Sequence, residues 1–187
     1  MQDIIRGDAR IIEDISALCT DSDAIHHSID SFGNAFHWFR LDTPRQLPQA
    51  AAILRKVGAR LAMVTAYNRR QLSEPMQEVC YHFELKGVIY NLTVTLNGEW
   101  PTVPSITPLF ANADWHEREM MELYGIQVTD HPDPRRLFLD EELDAGILNE
   151  AVPLSIMMNG ACTKDMWERI MEVNAEPGEE VEKGVHE

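Results

Sequence analysis

The sequence has no long apolar run and few basic residues, and both absences exclude classes of protein. No stretch approaches the roughly 18 consecutive apolar residues of a membrane span, and the amino terminus lacks the basic start and apolar stretch of a signal peptide. We therefore expect a cytoplasmic chain with no transmembrane segment and no signal peptide. Only 16 lysines and arginines accompany 31 acidic residues, a formal net charge of −15. Phosphate backbones should repel such a chain, so nucleic-acid binding is not expected.

Cysteine is also scarce and widely spaced. Cys19, Cys80 and Cys162 form none of the short Cys-x-x-Cys spacings of iron–sulfur or structural zinc sites. We expect reduced, partly buried thiols and no cofactor or metal in this chain. No Gly-x-Gly-x-x-Gly, phosphate loop or Gly-x-Ser-x-Gly motif occurs, so the sequence supports neither nucleotide binding nor a nucleophilic enzyme.

The 187 residues, 44% of them hydrophobic and 25% charged, are enough for one domain with a core. The acidity is concentrated at the carboxyl end, where residues 140–187 have a net charge of −10 and residues 1–139 one of −5. This contrast predicts a domain over residues 1–140 and an acidic extension over 141–187. We expect a short helix near 163–173 and a mobile end after about 174.

Two helices are predicted before residue 60. Asp8 can cap a first helix, whose apolar residues recur at helical spacing as far as Leu18. The polar residues 21–30 predict a loop. Thr43 followed by Pro44 predicts the start of a second helix, with a glycine at position 58 placed to end it.

Alternating apolar residues predict a series of strands around and after the second helix. Lys86-Gly87 predicts a turn and Asn97-Gly98 a hairpin. Prolines in the last strand predict a sheet edge there. With a final helix, the order is β-α-β-β-β-β-α, an α+β fold built as a two-layer α/β sandwich with a mainly antiparallel sheet. The predicted strands are 35–41, 61–67, 79–85, 88–96 and 102–106.

The densest group of charged and aromatic residues lies at 112–126. Asp114 and Glu117 have the spacing of a capping box, and Gly125 is placed to end the helix. Arg118 can pair with Glu122 one turn later. Taken alone, this pattern is typical of a solvated helix face.

Sharper chemical interpretations of this helix have little support. His116-Glu117 begins a zinc-protease motif, but Met120 stands where the second histidine is required. Carboxylates such as Glu117 and Glu119 resemble an acid–base pair only as any two acids on a helix do. The next segment, His131 to Arg136, contains turn-forming residues and presents two adjacent guanidinium groups. Such arginines suit carboxylate pairing, either within the chain or on a partner.

These motifs together resemble the 30 kDa subunit family of respiratory complex I, also called the C subunit of NADH-quinone oxidoreductase, and the related subunit of membrane-bound energy-converting nickel–iron hydrogenases. The resemblance is specific from about residue 103 to 140. It rests on Val-Pro-Ser-Ile-Thr at 103–107, Trp115 with Glu-Arg-Glu at 117–119, Glu-Leu-Tyr-Gly-Ile at 122–126, His-Pro-Asp at 131–133 and Arg-Arg-Leu at 135–137.

The resemblance implies a cofactor-free structural subunit in the peripheral arm, packed against the large subunit on the cytoplasmic side of the membrane. It implies a small iron–sulfur subunit nearby, and a nickel–iron site or quinone and iron–sulfur clusters in the partners. No residue of this chain would be catalytic or bind a cofactor or metal. The interface residues would be Trp115, Glu117, Arg118, Glu119, Glu122, His131, Arg135 and Arg136. Apolar anchors would come from Phe110, Trp115, Met120, Met121 and Phe138, which core packing also explains.

One segment departs from the family pattern. Complex I members typically have Gly-His-Pro-Leu-Arg-Lys-Asp-Tyr-Pro after the paired arginines, whereas residues 148–155 here keep only Pro-Leu. This departure favours a hydrogenase-type complex over an NADH-quinone oxidoreductase. Two alternatives of other classes stay open, a free-standing small hydrolase and a soluble acidic binding module.

Overall fold

A mixed five-stranded sheet forms the centre of the protein. The computed structural model describes residues 2–68, 76–98, 100–139 and 145–146. The predicted acidic extension and its helix near 163–173 lie almost entirely outside these residues, and the boundary at 140 stays a prediction. The helices and strands are α1 (Gln2–Ser16), β1 (Ile25–Ile29), β2 (Ala35–Arg40), α2 (Leu47–Lys56), β3 (Arg60–Asn68), β4 (Met76–Leu85), β5 (Val88–Asn97), β6 (Thr102–Pro104), α3 (Ala113–Tyr124) and β7 (Gln127–Thr129).

The strand order in the main sheet is β1-β2-β5-β4-β3. Strands β3, β4 and β5 form the predicted antiparallel meander, and β1 pairs antiparallel with β2. Strand β2 instead lies parallel to β5, because α2 and the meander bring the chain back to that side. The α+β class and the mainly antiparallel sheet are therefore confirmed.

One face of this sheet packs against the helices and forms the core. Alternate residues of β4 and β5, such as Tyr81, Phe83 and Leu92, are essentially inaccessible to solvent. Removal of these side chains from water is the main favourable contribution to folding. Buried residues of α1 and α2 complete the layer: Ile11, Ile15, Leu47, Ala50, Ala51 and Leu54.

Local sequence signals placed several boundaries correctly. The N–H of Thr43 donates to Oε1 of Gln46 at 2.9 Å, and a short 3-10 helix, Pro44–Gln46, leads directly into α2. Gly58 has φ of +81°, and its N–H donates to the carbonyl of Arg55 at 3.1 Å. A glycine is favoured in that left-handed conformation because it has no Cβ.

The turn at Lys86-Gly87 joins β4 and β5, as predicted. Both residues have positive φ, 51° and 81°, which fits the twist of an antiparallel hairpin. The carboxylate of Glu84 accepts the Gly87 N–H at 2.9 Å, which lowers the pKa of Glu84 below its usual value.

Three local predictions were wrong. Asp8 lies inside α1, which begins at Gln2, so it is not the cap. The predicted loop 21–30 contains β1, whose pairing with β2 outweighs its polar composition. Asn97-Gly98 does not form a hairpin, because β6 pairs with β7 in a separate parallel ladder.

The face of the sheet opposite the helices also contains buried polar groups. Glu78 is only 1% exposed; its carboxylate accepts the Tyr67 hydroxyl and lies 3.5 Å from Arg40. Burial raises the pKa of the neighbouring Cys80 thiol to about 11. Cys19 and Cys80 are free thiols, whereas Cys162 lies outside the described residues.

Candidate functional site

The family-like motifs converge on α3. The N-cap position of the helix is Asn112, not the predicted Asp114, and its side chain makes no capping bond. Instead, Asn112 Nδ2 donates to the carbonyl of Leu61 at 2.9 Å. This bond ties the start of α3 to β3. Gly125 ends the helix in a left-handed conformation with φ of 66°, as predicted. The helix is therefore fixed at its start to the edge of the main sheet.

Glu117 is completely buried and organises the segment that follows β6. Its Oε2 accepts the hydroxyls of Ser105 at 2.6 Å and Thr107 at 2.8 Å, and its Oε1 accepts the N–H of Ile106 at 2.7 Å. The predicted capping box fails because this carboxylate turns towards residues 105–107. Burial, and secondarily the charge of Glu117, raises the pKa of Tyr81 well above its usual value.

His131 lies close to the same carboxylate. Its Nδ1 accepts the N–H of Asp133 at 3.1 Å, so a neutral ring carries its proton on Nε2. That Nε2 lies 3.5 Å from Glu117 Oε2 and 3.6 Å from Asp114 Oδ1. The His131 side chain is inaccessible to solvent. Nε2 makes no hydrogen bond with the described residues, so His131 links α3 to the turn at 131–133 through its close approach to these two carboxylates.

Arg118 and Glu122 bind the backbone of the segment after that turn, and the predicted pair between them does not form. Arg118 Nε donates to the carbonyl of Arg135 at 2.7 Å, and its Nη2 donates to the carbonyl of Arg136 at 2.6 Å. The Glu122 carboxylate accepts the N–H groups of Phe138 at 3.2 Å and Leu139 at 2.8 Å. Residues 135–139 are thus held along one side of α3.

Arg135 and Arg136 also form hydrogen bonds within the chain. Arg135 binds Asp133 through two bonds of 2.7 Å, from Nε to Oδ1 and from Nη2 to Oδ2. This bidentate pair lowers the pKa of Asp133 to about 2. Arg136 is half-buried, and its backbone carbonyl accepts the guanidinium of Arg118.

We call Glu117, Arg118, Glu122 and His131 the α3 cluster. The family resemblance placed all four at a partner interface, and that role stays a prediction; in the structure each of them bonds within this chain. Their partners Ser105, Thr107 and Asp133 were not selected as functional residues, although all three lie inside the quoted motifs. The signal available for them was the short spacing of hydroxyl residues in Ser-Ile-Thr, which suits a buried carboxylate.

A different set of residues faces solvent beside the α3 cluster. Trp115 is 68% exposed and Phe138 61% exposed, and the Arg135 side chain is 80% exposed. Trp115 precedes Arg118 by three residues and so lies on the side of α3 that binds residues 135–139. We call Trp115, Glu119, Arg135 and Phe138 the α3 surface. Phe110 and Met120, named as anchors from sequence, are instead buried in the core.

The α3 cluster does not have the arrangement of a hydrolytic site. Ser105 is buried, and the Glu117 carboxylate that accepts its hydroxyl also accepts the Thr107 hydroxyl and the Ile106 N–H. The Ser105 hydroxyl is therefore held as a structural donor and not presented to a substrate as an activated nucleophile. Among the residues that the structure describes, no group of three or more His, Cys, Asp and Glu side chains is placed to hold a metal. The described helices are also too short or too polar to cross a membrane.

Comparisons with known proteins agree with this architecture. A chain from the membrane-bound sulfane sulfur reductase, an archaeal respiratory membrane complex, aligns with a TM-score of 0.61 at 11% identity, covering 82% of this chain and 91% of that one. A trypsin-resistant fragment of Nqo5 aligns with a TM-score of 0.50 at 21% identity, covering 67% and 97%. At these identities the alignments show the fold alone.

Sequence comparison identifies the family. The C subunit of NADH-quinone oxidoreductase from Rhodopseudomonas palustris (strain TIE-1) is 50% identical over 79 residues, which are 42% of this chain and 39% of that protein. The match therefore spans well under half of the curated relative. The family model described as respiratory-chain NADH dehydrogenase, 30 Kd subunit, matches residues 42–161, more than half of the chain. The chain belongs to this 30 kDa subunit family.

Proposed function

We propose that this chain is a structural subunit of a complex I-like respiratory assembly and that its α3 surface packs against the large subunit. The proposal rests on the difference between two sets of residues on and beside α3. The charged residues of the α3 cluster bind this chain's own backbone, and an exposed tryptophan, arginine and phenylalanine stand beside them.

The composition of the α3 surface suits a protein interface. Tryptophan and arginine dominate the energetically important positions of interfaces, and aromatic residues are enriched there. Because Arg135 is already locked by Asp133 and the backbone of Phe138 by Glu122, little conformational freedom is left to lose on binding. Preorganisation of this kind strengthens association without adding contacts.

The chemistry of such an assembly would reside in other subunits. We propose that quinone or a nickel–iron site, together with iron–sulfur clusters, belongs to the large subunit and to a small iron–sulfur subunit nearby. This chain would hold no cofactor and would contact the cytoplasmic side of the membrane only through the complex. Membership of a redox-complex family supports this assignment.

Between the two types of complex, the comparisons favour NADH-quinone oxidoreductase. The Rhodopseudomonas palustris relative carries that name, and the comparisons give no support to the hydrogenase preference drawn from sequence. The hydrogenase-type complex remains a second candidate because residues 148–155, outside the described part of the chain, depart from the complex I pattern.

The test is purification of the tagged chain from its native cell, with quantification of the co-purifying large subunit by mass spectrometry. We expect a stoichiometric large subunit with the unchanged chain and a loss of about 30-fold or more with Trp115→Ser plus Phe138→Ser, because two anchors would be removed. The double variant Val57→Ser plus Met63→Ser removes exposed apolar residues elsewhere and serves as the matched control.

The same preparation distinguishes the alternatives. A quinone-reductase large subunit supports the first type of complex, and a nickel–iron large subunit the second. A lone chain with hydrolytic turnover supports the hydrolase alternative, and a lone monomer without turnover the acidic binding module. Either of the last two results overturns the proposal. The burial of Glu117 already argues against its use as an accessible acid–base group.

A further inference from the structure

Strand β1 lies at the end of the main sheet that is far from α3. The sheet order places three strands between β1 and β3, a separation of about 19 Å at ordinary strand spacing. Among the described residues β1 pairs only with β2, and four of its five residues, His26 to Ile29, are exposed. Contacts made there are therefore independent of the α3 surface.

The outer edge of β1 is regular enough to accept another strand. Its five residues pair with β2 without a register shift, from Ile25 opposite Phe39 to Ile29 opposite Ala35. The Asp30 N–H donates to the Asn34 carbonyl at 3.0 Å. Since bonded and non-bonded pairs alternate along an antiparallel ladder, the backbone N–H and C=O groups of Ile25, His27 and Ile29 point outward.

The opposite edge of the sheet, formed by β3, has features that normally prevent the addition of another strand. Strand β3 contains a register shift between Leu61 and Met63, begins with the exposed Arg60, and lies against α3. Bulges and charged residues blunt exposed edges in natural sheets. Strand β1, with the sequence Ile-His-His-Ser-Ile, has neither a bulge nor a lysine, an arginine or a proline.

A rigid turn beside β1 presents an apolar anchor. The Asp30 carboxylate accepts the N–H groups of Phe32 and Asn34, both at 2.9 Å, and Nδ2 of Asn34 at 2.8 Å. Although this turn is fixed by these bonds, the Phe32 side chain at its tip is 90% exposed and neighbouring Ile29 is 75% exposed. A strand can add to an exposed sheet edge, and an exposed apolar side chain beside that edge can contact the added strand.

The charge around β1 indicates the chemistry of its occupant. Between Arg10 and Arg40 the sequence contains five acidic residues and no lysine or arginine. Two of the acids, Asp21 and Asp23, are exposed just before the start of β1. A second copy of this chain would bring two such acidic segments together, and like charges facing each other oppose pairing.

We propose that β1 binds an extended, basic segment of a second partner chain, which adds as a sixth strand. The segment would pair with the outward groups of Ile25, His27 and Ile29, place an apolar residue against Phe32, and direct lysines or arginines towards Asp21 and Asp23. This proposal does not depend on the proposed docking of the large subunit.

The test uses the full chain and a fluorescent nine-residue peptide, Lys-Lys-Val-Thr-Val-Thr-Val-Lys-Lys, with binding followed by fluorescence anisotropy. We expect saturable binding and slowed amide hydrogen exchange at Ile25, His27 and Ile29. The double variant Ile29→Thr plus Phe32→Ser should raise the Kd about tenfold or more, as should Asp21→Asn plus Asp23→Asn at low salt. Val57→Ser is the matched control and should leave the Kd unchanged.

Two control peptides sharpen the outcome. Replacing the four lysines by glutamates, or the central valine by proline, should abolish binding, because the first removes charge complementarity and the second a backbone donor. The proposal is overturned by three results: no saturation up to about 1 mM peptide, equal binding of the glutamate peptide, or protection of the β1 amides by dimerisation of the chain without peptide. These outcomes leave the co-purification test of the α3 surface unaffected.

Discussion

The two ends of the main sheet use acidic side chains in opposite ways. At the α3 end, Glu117 and Glu122 are buried and each accepts hydrogen bonds from backbone N–H groups of another segment. At the β1 end, Asp21 and Asp23 are exposed and Asp30 is half-buried. Asp21 and Asp30 accept backbone N–H groups only from residues two to four positions later in their own turns. Acids therefore stabilise the fold at one end and leave charge available to a partner at the other.

This comparison predicts a graded response to removal of acids along the chain. When a buried carboxylate is removed, the donors that it accepted stay buried without a partner, which costs free energy. When an exposed carboxylate is removed, water can accept hydrogen bonds from the same donors. We expect the largest effects in the α3 cluster and the smallest at exposed pairs.

The largest effect is expected for Glu117→Ala. The hydroxyls of Ser105 and Thr107 and the N–H of Ile106 would lose their common acceptor, which should reduce the free energy of unfolding by about 3–5 kcal/mol. Urea denaturation followed by circular dichroism measures the change. Glu119→Ala on the exposed side of the same helix is the control, with an expected change within about 0.5 kcal/mol. Equal losses in the two variants would contradict the internal role of Glu117.

A smaller loss is expected for Glu122→Ala. Two N–H groups, those of Phe138 and Leu139, would lose their acceptor, at a cost of about 1–3 kcal/mol. Amide hydrogen exchange should accelerate at Leu139 more than at residues of the β4–β5 hairpin. Unchanged protection at Leu139 would show that another contact holds residues 135–139 beside α3.

At the β1 end, Asp30→Ala should loosen the hairpin turn with less effect on global stability than Glu122→Ala. The N–H of Asn34 loses its acceptor, but the turn is exposed and water can replace the carboxylate. Exchange at Asn34 should accelerate while the urea midpoint moves less than in Glu122→Ala. A shift as large as that of Glu122→Ala would mean that both ends of the sheet depend equally on acidic side chains.

The smallest effect concerns the exposed pair of Asp133 and Arg135. The pKa of Asp133 is lowered to about 2 in the folded chain, first by its hydrogen bonds with Arg135. A lowered carboxyl pKa contributes stability above the unfolded value near 3.8, and that contribution is lost as the pH falls through the folded value. In Arg135→Ala, the pKa measured by NMR titration should rise towards 3.8. A value still near 2 would assign the shift to groups other than Arg135.

The positions of most elements could be predicted from sequence because they depend on nearby residues. The alternation in β4 and β5, the turn at Lys86-Gly87 and the glycine ending α2 each express a preference that a few adjacent residues determine. The Asn97-Gly98 signal, although locally as strong, did not produce a hairpin. The strand that follows this signal, β6, pairs in parallel with β7, some 25 residues later in the chain.

The partner-interface role of the candidate residues stays a prediction, whereas the predicted contacts within α3 were wrong. The motifs around Trp115 and His131 identified the family. The direction of each charged side chain, however, depends on which distant backbone groups arrive beside α3. Helical spacing alone therefore favoured an Arg118–Glu122 pair over the backbone contacts that both residues make.

The sequence by itself determined the class of fold, the order of most elements and the family, because apolar periodicity and short motifs are properties of neighbouring residues. Only the tertiary structure decided that Glu117 binds residues 105–107, that β2 runs parallel to β5 and that, within the part of the chain that the structure describes, β1 pairs on one side alone. These features join segments far apart in the chain, and burial and backbone hydrogen bonding select them only when the whole domain packs together.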